Sequence, residues 1–380
     1  MKTETFLRQT LEEWSAEAQV PSGLADRALR RRARRRFTSA ALVVGSAALL
    51  AGAGVAIDAR IGKPPSVVRP VDTSLHTDPS SAPPKRFVAA GQVAISAYYT
   101  SDATQNGRGS RTRTWYLYNP ASGGYRKVPW AWVDVAPGLR QAAVLDGPLP
   151  SARVGIMNMT TQRVRWIPLK AAAGGLSWSP DGRKVLVTTY ATNPDSQGGS
   201  FGQRARTGFI VVDAKSGEAH FHRLTSDPNE PNTRRDLGWS KDGTLIWAPT
   251  GRETPSKVFY DLNGEPRPTP AHEADLAEQA GLSPNGRLLA VPGPPPGPNT
   301  IVTNLGTGKQ AGLQPVEQLS AWADDTHLIA LACSPNKCGG KGEFHNRYVL
   351  VSVDGKTLIP LTGYVQNSEV SGWEPTFTHR

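Results

Sequence analysis

A tryptophan followed at once by a tight turn and a β-branched strand recurs along this chain, and it limits the fold more than any other feature. The fullest copy is Leu176-Ser177-Trp178-Ser179-Pro180-Asp181-Gly182, with Lys184 to Tyr190 behind it. Pro180 fixes φ and Gly182 suits the left-handed corner, so the stretch predicts two antiparallel strands joined by a turn. A loop over 191–207, a strand over 208–213, a turn at Ser216-Gly217 and an outer strand to Leu224 complete a four-stranded unit. Such a sheet has two apolar faces that it cannot bury alone, so similar units must stack on both sides.

Decayed copies of the element are present. Leu237-Gly238-Trp239-Ser240-Lys241-Asp242-Gly243 repeats it closely, Gly281 to Gly286 repeats it without the Trp, and Ser320-Ala321-Trp322 opens a further copy. A weaker one begins at Trp132, and a lone start lies at Trp373. A second, independent marker is the Asn or Asp that ends each third strand: Asn119, Asn158, Asp213, Asp261, Asn304 and Asp354. These six marks stand about 47 residues apart on average, near the period of a four-stranded propeller blade. Residues 87–128 supply a second, third and fourth strand with no opening Trp-turn, and Trp373 begins a unit that has only its first strand. The expectation is therefore an all-β, six-bladed β-propeller whose C-terminal strand completes the N-terminal blade. Closure of that kind removes exposed sheet edges.

The N-terminal part reads differently. Leu7, Leu11, Trp14 and Ala18 form one stripe of a short helix, and Arg30, Arg31, Arg32, Arg34, Arg35 and Arg36 follow. Residues 37–57 then run for 21 positions without a charge, enough for the roughly 20 apolar residues that span a bilayer core. The arginines read as a topology signal rather than a nucleic-acid surface, placing residues 1–36 in the cytoplasm and the rest outside. The alternative is a cleaved export signal and a secreted protein, which the length of the leading segment disfavours. Residues 58–86, with six prolines among Ser, Thr and Asp, read as a disordered linker. The domain order is thus tail 1–36, transmembrane helix 37–57, linker 58–86 and propeller 87–380.

The two cysteines, Cys333 and Cys338, bracket a four-residue loop, and in an oxidising compartment they predict a small disulfide. At this point the residues carry a resemblance. Trp-Ser-Pro-Asp-Gly before a β-branched strand, then a strand ending in Asp or Asn and a Gly turn, resembles the TolB-like, WD-repeat-like β-propeller family over 87–380. The basic tail, single span and Pro-rich linker are similar to membrane-anchored propellers of high-GC Gram-positive bacteria. That resemblance implies a binding or scaffolding role at the cell envelope.

Blade geometry identifies a candidate binding face. The long loops between second and third strands, 100–113, 191–207 and 333–346, share one side of the disc, and the short motif turns share the other. Function gathers on loops held by a rigid scaffold. Those loops carry Arg108, Arg111, Arg113, Arg204, Arg206, Lys337, Lys341 and Arg347. Nine Lys/Arg against five Asp/Glu in residues 1–36 leave +7 of the net +11 outside the tail. Such a face fits an anionic envelope polymer or an acidic protein partner. Trp178, Asp181, Gly182, Trp239, Asp242, Gly243 and Trp322 read as blade-structural. Two other classes stand beside binding: an envelope sensor that signals through the tail, and a propeller hydrolase or lactonase. Gly198-Gly199-Ser200-Phe201-Gly202 has the spacing of a nucleophile elbow but lacks the strand and helix that an elbow needs. His220 and His222 share one side of an outer strand with no third ligand in the pattern. The sequence therefore reads as a binding protein without a cofactor, metal or catalytic site, and with no nucleic-acid partner.

Overall fold

A computed structural model describes residues 74–102, 112–195, 206–224, 235–250, 255–274, 279–293, 299–334, 344–367 and 371–380. The predicted tail and membrane span lie outside these residues. Among the described residues there is no helix, and so none long and apolar enough to cross a membrane.

Among the described residues, five antiparallel sheets form a propeller-like ring. The first holds β1 (Ala89–Ala90), β2 (Val93–Asp102), β3 (Thr112–Asn119) and β4 (Gly124–Lys127). The second runs through β5 (Trp132–Val135), β6 (Gln141–Leu145), β7 (Ser151–Asn158), β8 (Val164–Trp178), β9 (Lys184–Tyr190), β10 (Arg206–Asp213) and β11 (Ala219–Arg223). A four-stranded sheet follows: β12 (Gly238–Trp239), β13 (Ile246–Pro249), β14 (Lys257–Tyr260) and β15 (Pro266–Arg267). Next comes a three-stranded sheet of β16 (Leu288–Pro292), β17 (Thr300–Asn304) and β18 (Gln310–Gln314). The last contains β19 (Gln318–Trp322), β20 (His327–Cys333), β21 (Phe344–Ser352), β22 (Leu358–Pro360) and β23 (Val365–Asn367). Finally β24 (Ser371–His379) returns to the first sheet and pairs with β2 from Val93↔His379 to Asp102↔Ser371.

Six separate four-stranded blades are not what the hydrogen bonding gives. Four sheets reach four or more strands, and the fifth has three. Two causes account for the difference. The 15-residue β8 pairs with β7 along its first part and with β9 from Ala173 onward, fusing two units into one sheet. Its middle, Lys170-Ala171-Ala172-Ala173-Gly174, has neither Pro nor Asx to turn the chain. In the three-stranded sheet, the expected inner strand is reduced to a single bridge, Leu282↔Leu289.

The motif turns repeat one hydrogen-bond pattern. Ser179 N–H donates to Lys184 O, Ser240 N–H to Leu245 O and Ser283 N–H to Leu288 O, while Gly182, Gly243 and Gly286 close the corner. In the weaker copy the matching bonds are Ala136 N–H to Gln141 O and Leu139 N–H to Ala136 O. This register makes Val135, not Trp132, the counterpart of Trp178, and Leu139 takes the positive φ of 55° that glycine takes elsewhere. Trp373 is likewise no motif tryptophan. It sits opposite Thr100 near the far end of β24 from His379, buried edge-on against Tyr98 and Tyr348.

Five buried apolar clusters hold the ring. They join the first sheet to β5–β7, β5–β8 to β8–β10, β9–β10 to β12–β13, β16–β17 to β19–β21, and β19–β21 back to β1, β2 and β24. The linker reading of 58–86 fails for its last part. Asp78 is buried, its N–H donates to Leu361 O, its carboxylate accepts from the N–H groups of Lys85 and Arg86, and Gly363 N–H donates to Ser81 O. Residues 74–86 thus pack on the body, because a buried aspartate with two backbone donors fixes a turn that proline content alone does not reveal.

Candidate functional site

The predicted face lies where β2, β9 and β20 end and β3, β10 and β21 begin. Arg108, Arg111, Arg204, Lys337 and Lys341 lie outside the described residues, as does the Gly198–Gly202 motif. Arg113, Arg206 and Arg347 are described, and they are strand residues rather than loop tips.

Arg113 forms an ion pair with Asp195, with side chains only 14% and 15% exposed. Its guanidinium also lies over Trp132 at 4.7 Å and Tyr99 at 5.2 Å. Arg206 is buried and donates to the carbonyls of Arg235 and Pro249, each at 3.1 Å. Neither is a solvated charge awaiting a ligand. Both turn inward because the neighbouring modules present carboxylates and free carbonyls there, and a buried guanidinium requires such partners.

The residues that sequence reasoning missed are those partners. Tyr190 O–H donates to Asp236 at 2.8 Å, with Tyr190 buried and Asp236 half-buried at the junction of β9 with the segment before β12. Burial pushes the Asp236 carboxyl up to about 6, while Tyr190, Arg113 and Arg206 pull it down and Asp195 adds to the rise. A Cβ on Gly175 would overlap that carboxyl, and one on Gly174 would overlap the Tyr190 ring. The Gly174-Gly175 pair is therefore what lets Asp236 and Tyr190 approach β8. On the far side of Arg113, Tyr99 O–H donates to Glu374, its paired residue on β24, and burial, with Glu374 next, pushes the phenol up. No spacing in one sequence links Gly175 to Asp236 or Tyr99 to Glu374, since each pair comes together only through the ring.

Arg347 differs. Its guanidinium lies over Tyr364 at 4.4 Å and it forms no ion pair among the described residues, while its Nε, like that of Arg113, is buried without a hydrogen-bond partner. It borders a recess of about 270 Å³ shared with Asn346, Tyr348, Trp373 and Glu374. Beside it, Cys333 ends β20 as a disulfide-bonded cysteine, and the expected partner Cys338 lies outside the described residues.

The expected outer-strand histidines make local contacts. His220 meets Glu218 at 2.9 Å, and His222 packs on Phe209 with ring centroids 5.1 Å apart. Among the described residues no cluster of His, Cys, Asp or Glu could hold a metal ion. Asp181, Asp242 and Asp324 bond within their own turns, which holds their carboxyls below the ordinary range against the opposing effect of burial.

The chain is similar to several solved structures with β-propeller parts. TolB from Acinetobacter baumannii matches at 15% identity and a TM-score of 0.42, over 74% of this chain and 67% of that one. A mitotic checkpoint complex chain matches at 14% identity and 0.39, over 87% and 99%. The dihydro-heme d1 dehydrogenase NirN matches at 11% identity and 0.35, over 77% and 57%. No protein-family profile and no curated protein matches the chain. The architecture stands on the strand pairing above, and these likenesses assign it no activity.

Proposed function

We propose that this chain is a membrane-tethered, extracytoplasmic binding module rather than a catalyst. In this reading six four-stranded units make the ring, with β8 shared by two of them and β24 closing the first. Residues 37–57 anchor it, and the arginine run keeps residues 1–36 inside. The disulfide at Cys333 favours an oxidising location. The partner is an anionic envelope component or an acidic protein surface that reaches the loop end of the ring.

The observation that carries the binding role is Arg347. Arg113 is held by Asp195, whereas Arg347 stacks on one aromatic ring, forms no ion pair among the described residues and faces a recess. A guanidinium in that state is a preformed donor to a carboxylate or phosphate. The test uses the full chain in cells, with photo-crosslinking residues in loops 100–113 and 191–207 and an Arg347→Ala variant. A discrete crosslinked partner that is depleted about tenfold by Arg347→Ala is the expected result, matching loss of a charge-assisted contact. Unchanged crosslinking in the folded variant at low salt would refute the role given to Arg347. Recovery of the wild-type chain as a soluble protein lacking its first 50 or so residues would refute the anchor.

A further inference from the structure

Among the described residues, one seam between modules has neither a motif tryptophan nor an apolar cluster. At three seams a motif tryptophan crosses to the preceding module and its indole N–H donates to a carbonyl there. Trp178 reaches Asp134 O at 3.1 Å, Trp239 reaches Ser177 O at 3.0 Å and Trp322 reaches Gly281 O at 3.1 Å. In every case the acceptor is the residue just before the equivalent motif position, and the tryptophan is buried. Between β12–β15 and β16–β18 the same turn is present, but the motif position is Leu282, only half-buried. The carbonyl in the acceptor position is that of Gly238.

Two further observations agree. Each of the five apolar clusters straddles some other junction, and among the described residues none straddles this one. Here instead is a cavity of about 420 Å³, bounded by Leu282 on one side and by Trp239 and Trp247 on the other, and reaching Trp322 and Phe377. That volume lies in the range of small-ligand sites, roughly 300–1,000 Å³. The Trp247 indole already donates to Trp239 O at 2.9 Å, so both tryptophans offer ring surface rather than donors. A Cβ on Gly238 would overlap the Trp247 ring, so this glycine is what lets the indole lie there.

The polar part of the wall has a sign. Lys257 lies over Trp247 at 5.0 Å, and Lys241 bridges to the facing module through Ser283 O. Glu273 is turned to the Lys241 backbone N–H at 3.1 Å. Among the described lining residues Lys241 and Lys257 stand with Glu273, and burial, partly offset by Glu273 and Asp325, lowers the Lys241 pKa.

We propose that this seam is a binding site for a planar aromatic of indole size that carries an acidic group. The ring takes the volume that a motif tryptophan fills at other seams, stacked against aromatic neighbours. The acidic group meets the lysine edge.

Calorimetric titration of the full chain with indole-3-acetate, indole and tryptamine tests this. Saturable binding of indole-3-acetate is expected, about tenfold tighter than tryptamine, with indole between them. Leu282→Trp should abolish that binding and raise Tm by filling the seam. Leu282→Phe, a smaller change, should weaken it by about tenfold if the larger side chain prevents folding. Absence of saturable binding, or binding undiminished in a folded Leu282 variant, overturns the site. Equal affinity for tryptamine and indole-3-acetate overturns the acidic preference. Neither result bears on Arg347, which lines the adjoining recess and not the one that Leu282 borders.

Discussion

Asp134 holds Trp178 at two points: its carboxylate accepts the Trp178 backbone N–H at 2.7 Å, and its carbonyl accepts the indole N–H at 3.1 Å. The pair fastens β5 to the end of β8, across a seam that also buries Val185, Val187 and Ile210. One contact therefore serves both polar satisfaction and apolar packing, as a seam between rigid sheets requires.

Replacing Trp178 by Phe keeps most of the ring surface and removes the indole donor. The cost should be about 1–2 kcal/mol, a lost hydrogen bond plus an acceptor left in a buried place. Trp178→Ala should cost about 3–5 kcal/mol, because it also opens a cavity. Urea unfolding of both variants measures this; equal losses would show that the indole bond contributes nothing.

The Asp134 carboxyl is pushed up to about 7 by burial, against the lowering effect of the Trp178 and Val135 N–H groups. A raised value in the folded chain favours the protonated form there. Stability is then greatest near and below the ordinary value of 3.8 and falls as pH rises toward about 7. Asp236, raised to about 6, acts in the same direction, whereas the lowered carboxyls of Asp181 and Asp242 act below about pH 4. Asp134→Asn keeps an oxygen for the Trp178 N–H and cannot ionise. The variant should show a flatter profile between about pH 4 and pH 7, by on the order of 2 kcal/mol. Identical urea midpoints against pH for the two proteins would contradict this.

Much of the ring was legible because its markers work locally. Each of Asn119, Asn158, Asp213, Asp261, Asn304 and Asp354 accepts a backbone N–H two or three residues on, so the residue type is chosen within one turn. Trp132 misled because side-chain identity suggested a register that only the Ala136–Gln141 bond fixes. Arg113 and Arg206 misled for a different reason. Their partners, Asp195 and the carbonyls of Arg235 and Pro249, lie far along the chain, and a charge count cannot separate a paired arginine from a solvated one. Residues 74–86 looked like a linker from their prolines, yet Asp78 fixes them through backbone donors that carry no sequence signature.

The different settings of Arg113 and Arg347 separate folding from binding. Arg113→Ala leaves Asp195 largely buried without its cation and should cost about 3–5 kcal/mol. Arg347→Ala removes a side chain stacked on Tyr364 and should stay within about 1 kcal/mol. Thermal unfolding of the two variants decides it. A large loss for Arg347→Ala would make that residue structural as well.

Gly175 is predicted to be intolerant of even one added carbon. Its Cβ would overlap the Asp236 carboxyl, which is fixed by Tyr190. Gly175→Ala should destabilise by about 1–3 kcal/mol. Gly306→Ala, where the nearest atom is Asn304 Oδ1 at 3.4 Å, should lie within about 0.5 kcal/mol of wild type. Similar urea midpoints for both alanine variants would show that the approach to Asp236 does not constrain Gly175.

The closure by β24 makes the strongest demand on the whole ring. Its nine paired positions cover the edge of β2, and Trp373 packs against Tyr98 at 5.6 Å and Tyr348 at 5.4 Å, tying the first sheet to the last. A chain ending at residue 370 would expose that edge and the apolar cluster beneath it, an arrangement prone to strand addition and aggregation. It should elute as large species and lose cooperative unfolding. A peptide of residues 371–380 added in trans should restore a monomer by adding the missing strand. The same peptide with Trp373→Ala should do so at least about tenfold less well, since an indole buried between two tyrosines contributes well over 1.4 kcal/mol. A truncated chain that stays monomeric and unfolds at the wild-type temperature would show that the ring does not depend on this pairing.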